Sequence, residues 1–200
     1  YLVGYIAGKT TKTNTAGIVI GMATDVMNEF GYGYLAGVKD ANPDANILQN
    51  NVNSFADTGA GKTAANNMVA NNADVIFHAA GGTGLGVIDA AKEAGIWAIG
   101  VDSDQSKVAP KTILTSAMKR VDNAVYDEAK AVLDGEYKAG VKTYTLKDGG
   151  VDIAPTTDNL PEELLKEVED VKAKIIAGEI KVPNNKADFE AKYGDIYELD

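Results

Sequence analysis

Apolar, β-branched runs alternate with helical stretches through the first half of the chain, and this rhythm constrains its fold more than any other feature. The runs are Gly17-Ile-Val-Ile-Gly-Met22, Asn46-Ile-Leu-Gln49, Asp74-Val-Ile-Phe77 and Ile96-Trp-Ala-Ile-Gly-Val101. Between the first two, Val26, Phe30, Tyr34 and Val38 recur every four residues and share one helical face. A second helix is expected from near Gly59 to Asn71, and a third from near Gly84 to Ala94 with Gly95 as its stop. Strand, helix and strand recurring every roughly thirty residues is the mark of right-handed βαβ units. The fold class read from this is α/β, a doubly wound parallel sheet flanked by helices.

Beyond residue 110 the rhythm changes. Thr112 to Met118 reads as another strand, followed by a helix from Val121 to Leu133 with Val121, Ala124, Val125, Ala129 and Val132 on one side. Val141-Lys-Thr-Tyr-Thr-Leu146 alternates apolar and polar residues, the pattern of a half-exposed edge strand. Asn159 is expected to cap the next helix, with Pro161 in its first turn and Glu162 completing a capping box. Leu164, Val168, Val171 and Ile175 form the buried seam of that helix, which Gly178 ends. Residues 184–200 are polar and acidic, with Phe189, Tyr193 and Tyr197 at helical spacing: a short packed helix or a frayed tail.

Charge and composition remove several functions. With 29 acidic against 19 basic residues the net charge is −10, which disfavours nucleic acid and anionic lipid, since phosphate binding depends on basic side chains. No cysteine is present, so disulfides, thiolate zinc sites and cysteine nucleophiles are excluded. The apolar stretch Tyr1–Gly8 is too short to span a membrane and reads as an amphipathic helix ending near Lys12.

Ligands of an open parallel sheet bind outside the carboxyl ends of its strands. Here those ends are Met22-Ala-Thr24, Asn51-Val-Asn-Ser-Phe55, Ala80-Gly-Gly-Thr83 and Asp102-Ser-Asp-Gln105, rich in hydrogen-bonding groups. Gly81, Gly82, Gly84 and Gly86 approximate a dinucleotide fingerprint, but the third required glycine is replaced by Val87 and the strand is not the first of the core. They either contact a ligand or merely permit a tight turn. Gly61-Lys62-Thr63 lacks the leading glycine of a phosphate loop, where Ala56 stands, so Lys62 is a solvated helix residue. Asp102 suits a sugar diol or a turn; Ser106 and Lys107 rule out a calcium loop after it. The lone histidine, His78, sits in a buried strand, and no nucleophile elbow or metalloprotease helix is present. No catalytic residue, metal or cofactor is expected.

The runs Asn53-Ser-Phe-Ala-Asp57, Ala73 to Gly86, Trp97 to Gln105, Leu114 to Arg120 and Ala154-Pro-Thr-Thr157 together resemble the basic membrane protein family of bacterial lipoproteins. The resemblance extends to about Pro183. Members are substrate-binding proteins of ABC importers, similar to purine nucleoside receptors. It implies one lobe of a type I periplasmic-binding-protein fold, closing by hinge motion on a purine nucleoside held between two lobes. Asp102 would bind the ribose hydroxyls, Lys119 would support the sugar, and the Gly81 and Gly82 backbone would touch the ligand. Phe30 and Met22 would line the pocket, and Phe77 and Trp97 would be core. Ile20-Gly21 before Met22 and Asn28-Glu29 in the helix depart from the family pattern.

The same resemblance implies a domain plan. Residues 1–13 and the crossover 119–140 would belong to the first lobe, whereas 14–118 and 141–183 would form the second, followed by an acidic tail at 184–200. Most of lobe one would be absent, including the lipidated cysteine, so the two lobe-one helices would lack a sheet to cover and invite self-association. The implied parent is an extracytoplasmic lipoprotein working with an ABC permease. The competing readings are a nucleotide-dependent Rossmann-like enzyme, favoured by the glycine run with Asp102, and the effector-binding domain of a transcription regulator.

Overall fold

The computed structural model describes residues 1–199. Its strands are β1 (Thr15–Ile20), β2 (Asn46–Asn51), β3 (Val75–Ala79), β4 (Trp97–Asp102), β5 (Ile113–Lys119) and β6 (Val151–Ile153). They form one sheet in the order β2-β1-β3-β4-β5-β6, parallel except for β6, which pairs antiparallel with β5. The helices are α1 (Leu2–Thr10), α2 (Asp25–Ala41), α3 (Thr58–Ala70), α4 (Gly84–Ala94), α5 (Val121–Leu133), α6 (Glu162–Ile176) and α7 (Lys186–Tyr193). The α/β doubly wound class is therefore correct.

Strand alternation sorts the core onto two faces. Ile18, Ile20, Val75, Phe77, Ile99 and Leu114 point to one side, where they meet residues of α1, α2, α6 and α7. Val19 and Ile76 point to the other, against Ala64, Ala65 and Met68 of α3 and Val87 and Ala90 of α4. Because the chain winds one way from β1 to β2 and the other from β3 onward, the sheet reverses between β1 and β3, and a crevice opens at their carboxyl ends.

Three expectations are corrected and one left open is decided. The first helix does not lack a sheet: Leu2, Val3, Ile6 and Ala7 of α1 are buried in the same core as α2 and the strands. The crossing is close, since a Cβ at Gly37 would fall 2.1 Å from the Tyr1 carbonyl oxygen and one at Gly4 2.1 Å from that of Tyr34. Of the two readings of residues 184–199, the short packed helix holds: α7 and its extension bury Phe189, Tyr197 and Leu199 on the sheet's helical layer. Val141–Leu146 forms no strand, because the free edge of β5 is taken ten residues later by Val151–Ile153. Asn159 caps nothing. Its amide instead donates to the carbonyls of Pro110 at 2.8 Å and Ile113 at 2.6 Å, while Pro161 occupies the cap position of α6.

The α6 seam is as read, with Leu164, Val168 and Val171 buried. α5 also has the expected limits, but none of its residues is buried.

Candidate functional site

Five strand ends converge at the reversal point. After β1 come Gly21 and the exposed Met22; after β2, Asn53 to Phe55; after β3, exposed Gly81 and Gly82; after β4, Asp102; and β5 ends on Lys119. β4 pairs with β5 so that Asp102 lies opposite Met118, and this brings the next residue into reach: Lys119 Nζ is 2.8 Å from Asp102 Oδ1. Both side chains are close to half exposed, so the pair contributes less than about 1 kcal/mol and a ligand's hydroxyls can compete for it.

The backbone of Asp102 is unusual. Its φ is +66°, the left-handed region, and Ser103 N–H donates to the Val101 carbonyl at 2.8 Å across it. A three-residue turn with positive φ at its centre is the rarer and more strained of the two γ-turn forms. Such strain gathers at ligand sites. Asp104, two residues on, serves the turn itself: it accepts from Ser106 N–H at 3.0 Å and from Thr156 Oγ1 at 2.5 Å.

The glycine run divides between two roles. Gly84 and Gly86 face the protein, where a Cβ would fall 1.9 Å from His78 Nδ1 and 1.9 Å from the Thr58 carbonyl oxygen respectively. They are packing glycines. Gly81 has φ +54° and, with Gly82, stays exposed beside the main chain of Phe55, leaving that stretch of backbone open to a ligand. Gly61 also packs, a Cβ there falling 2.2 Å from the Thr83 carbonyl oxygen, and Lys62 pairs with Glu93 at 2.7 Å on the helix surface.

Phe55 is the site residue that the sequence reading left without a role. Its ring lies over Gly21, where a Cβ would come within 2.2 Å of Cδ1, yet the residue is 40 % exposed. An exposed aromatic at the mouth of a polar crevice offers a face on which a planar group can stack. The signal was present: Phe55 was an aromatic among polar strand-end residues. Phe30, in contrast, is half-buried one turn into α2, its centroid 6.4 Å from that of Phe77. Phe77 is core, at 1 % exposure, and Trp97 packs against the same cluster.

Beneath the crevice lies His78, fully buried on β3 with Nε2 3.0 Å from Gln105 Oε1. Burial pushes its imidazole down to about 4, outweighing the Gln105 bond and the Asp102 charge, which act the other way, so it is neutral at physiological pH. Among the described residues no cluster of acidic and histidine side chains has the form of a metal site.

Comparison with known proteins agrees with this geometry. The profile of a family described as "ABC transporter substrate-binding protein PnrA-like" matches residues 1–186. The chain belongs to this family. Among its PnrA-like relatives is the "CD4+ T-cell-stimulating antigen" of Listeria monocytogenes, 42% identical over 200 residues, covering 92% of this chain and 56% of that protein. Another is the "ABC transporter nucleoside-binding protein BmpA" of Lactococcus lactis, 37% identical over 202 residues, with 92% of this chain and 57% of the relative covered. A solved ABC transporter solute-binding protein from Aeropyrum pernix superposes with a TM-score of 0.82 at 30% identity, covering 95% of this chain and 65% of that one. The chain thus spans little more than half the length of these sequence relatives. The family's substrate-binding description is consistent with a crevice of hydrogen-bonding and aromatic groups.

Proposed function

We propose that this chain supplies one wall of a cleft that binds a purine nucleoside for an ABC importer. The observation that carries the reading is Asp102, an exposed carboxylate held in a strained turn at the end of β4, next to the strand that borders the reversal, paired with Lys119 and on the same carboxyl edge as Gly81, Gly82 and Phe55. One carboxylate accepts from both hydroxyls of a ribose diol, and the ammonium of Lys119 donates to the sugar oxygens. The exposed main chain at Gly81 and Gly82 offers polar groups to the base, the Phe55 ring stacks on it, and Met22 closes the apolar side. Phe30 borders this pocket from α2. Membership of the PnrA-like family and the nucleoside-binding name of the Lactococcus lactis relative support the substrate class.

The opposite wall belongs to a second lobe. α5, none of whose residues is buried, is read as a crossover packed on that lobe, with the hinge near Lys119 and the return near Gly140. Closure follows if ligand contacts on both lobes stabilise the closed state relative to the open one. The whole protein would be extracytoplasmic, held at the membrane by a lipid anchor, and would deliver its ligand to a permease.

Thermal shifts of the two-lobed protein with inosine, guanosine, sugars and NAD test this. Stabilisation by the nucleosides, abolished in Asp102→Ala, is expected. Stabilisation by NAD alone, or an unchanged response in Asp102→Ala, contradicts it.

A further inference from the structure

One buried titratable group takes no part in the site as described. Gln105 Oε1 lies 3.0 Å from His78 Nε2 and also accepts from Val101 N–H at 2.9 Å. An amide oxygen carries no proton, so the imidazole must donate from Nε2, which leaves Nδ1 a bare acceptor. Among the described residues Nδ1 has no hydrogen-bond partner, and a Cβ at Gly84 would fall 1.9 Å from it. From its other end Gln105 donates its backbone N–H to Ser116 Oγ at 3.1 Å. Gly100 makes room for this, as a Cβ there would fall 2.5 Å from both Gln105 Oε1 and Ser116 Oγ. Side chains or main chain of β3, β4 and β5 are thereby joined through a single glutamine directly below the 102–105 turn.

That turn is the strained one. Val101 supplies the carbonyl that closes it, and the N–H of the same residue is held by Gln105. A strained backbone conformation persists only where its surroundings fix it, and the buried network packs directly against this one. We propose that His78 and Gln105 are positioning residues for Asp102, their shared hydrogen bond locking the turn that presents the carboxylate to the crevice. The proposal rests on the nucleoside reading for what Asp102 does, but the positioning itself is measurable without ligand.

The test is amide hydrogen exchange, residue by residue, on the free chain with His78→Leu and His78→Gln. In His78→Leu the Ser103 and Gln105 amides should exchange about tenfold faster, the loss of one ordinary hydrogen bond, while Val19 in the middle of β1 keeps its rate. His78→Gln, which returns an N–H donor, should bring both back toward wild type. Should His78→Leu fail to fold, Ser116→Ala cuts the same network from the β5 side and is read at Ser103 alone, because it takes the acceptor from the Gln105 N–H itself. Unchanged exchange at Ser103 and Gln105, or acceleration spread equally to Val19, overturns the positioning. Inosine binding that survives Asp102→Asn overturns the ribose-binding role given to Asp102 instead, and no inosine binding by the two-lobed protein overturns the nucleoside reading, so the failures are distinct.

Discussion

α1 and α5 look alike in sequence: each is a short amphipathic helix, and the family resemblance assigns both to the same lobe. The fold treats them differently. α1 buries Leu2, Val3 and Ile6 against α2 and the sheet, whereas α5 leaves Val121, Val125 and Val132 between 53% and 64% exposed. Periodicity identifies which side of a helix is apolar but carries no information about what covers it. What separates the two here is the neighbouring surface: glycines at 4 and 37 let the α1 and α2 backbones touch, while α5 meets the loop before β6, where Asn123 donates to the Gly149 carbonyl at 3.0 Å and Tyr144 Oη to Glu128 at 3.3 Å. The same lesson applies to residues 184–199, where Phe189 makes ring contacts with Tyr32, Tyr193 and Tyr197.

The contrast can be broken by substitution and read by chemical denaturation. Phe189→Ala should cost about 3–5 kcal/mol, because a fully buried ring leaves a cavity; a loss below about 1 kcal/mol would return that segment to the status of a tail. Ile6→Ala, on the covered helix, should cost about 2–5 kcal/mol.

A pH titration probes the other buried helical layer. Folding lowers the His78 pKa from 6.5 to about 4, so the unfolded chain takes up a proton first as pH falls. The contribution is complete above pH about 6.5 and declines toward pH 4, a loss of about 3 kcal/mol that His78→Gln should remove. An identical pH slope in that variant would show that other groups carry it. The smallest effect is expected on α5, where Val125→Ala should change stability by no more than about 0.5 kcal/mol. A cost comparable to that of Ile6→Ala would mean that α5 is covered in solution.

Much of the architecture was legible in the sequence because β-branched runs and helical spacing are local signals. β1 to β5, α3, α4 and α5 fall within a few residues of their expected limits. The failures are non-local. Val141–Leu146 has the alternation of a strand, but pairing depends on a free edge, and β6 occupies it. Asn159 has the spacing of a cap, but two carbonyls across the loop compete for its amide. For the candidate site, strand-end position alone put Asp102, Gly81 and Gly82 among the candidates, and the resemblance added Lys119, which stands beside Asp102. The buried partnership of His78 with Gln105 could not be read, since it joins residues 27 apart through a tautomer that only the geometry defines.

The account turns on the crevice at the strand ends being one wall of a nucleoside cleft. Titrating the isotopically labelled chain with inosine, followed by NMR, tests that most directly. Half a cleft predicts weak binding, on the order of millimolar and about 4 kcal/mol. Shift changes should centre on Phe55, Gly81, Gly82, Asp102 and Lys119 and disappear in Asp102→Asn. Micromolar binding by the monomeric chain, or shifts that avoid these residues or persist in Asp102→Asn, would contradict it.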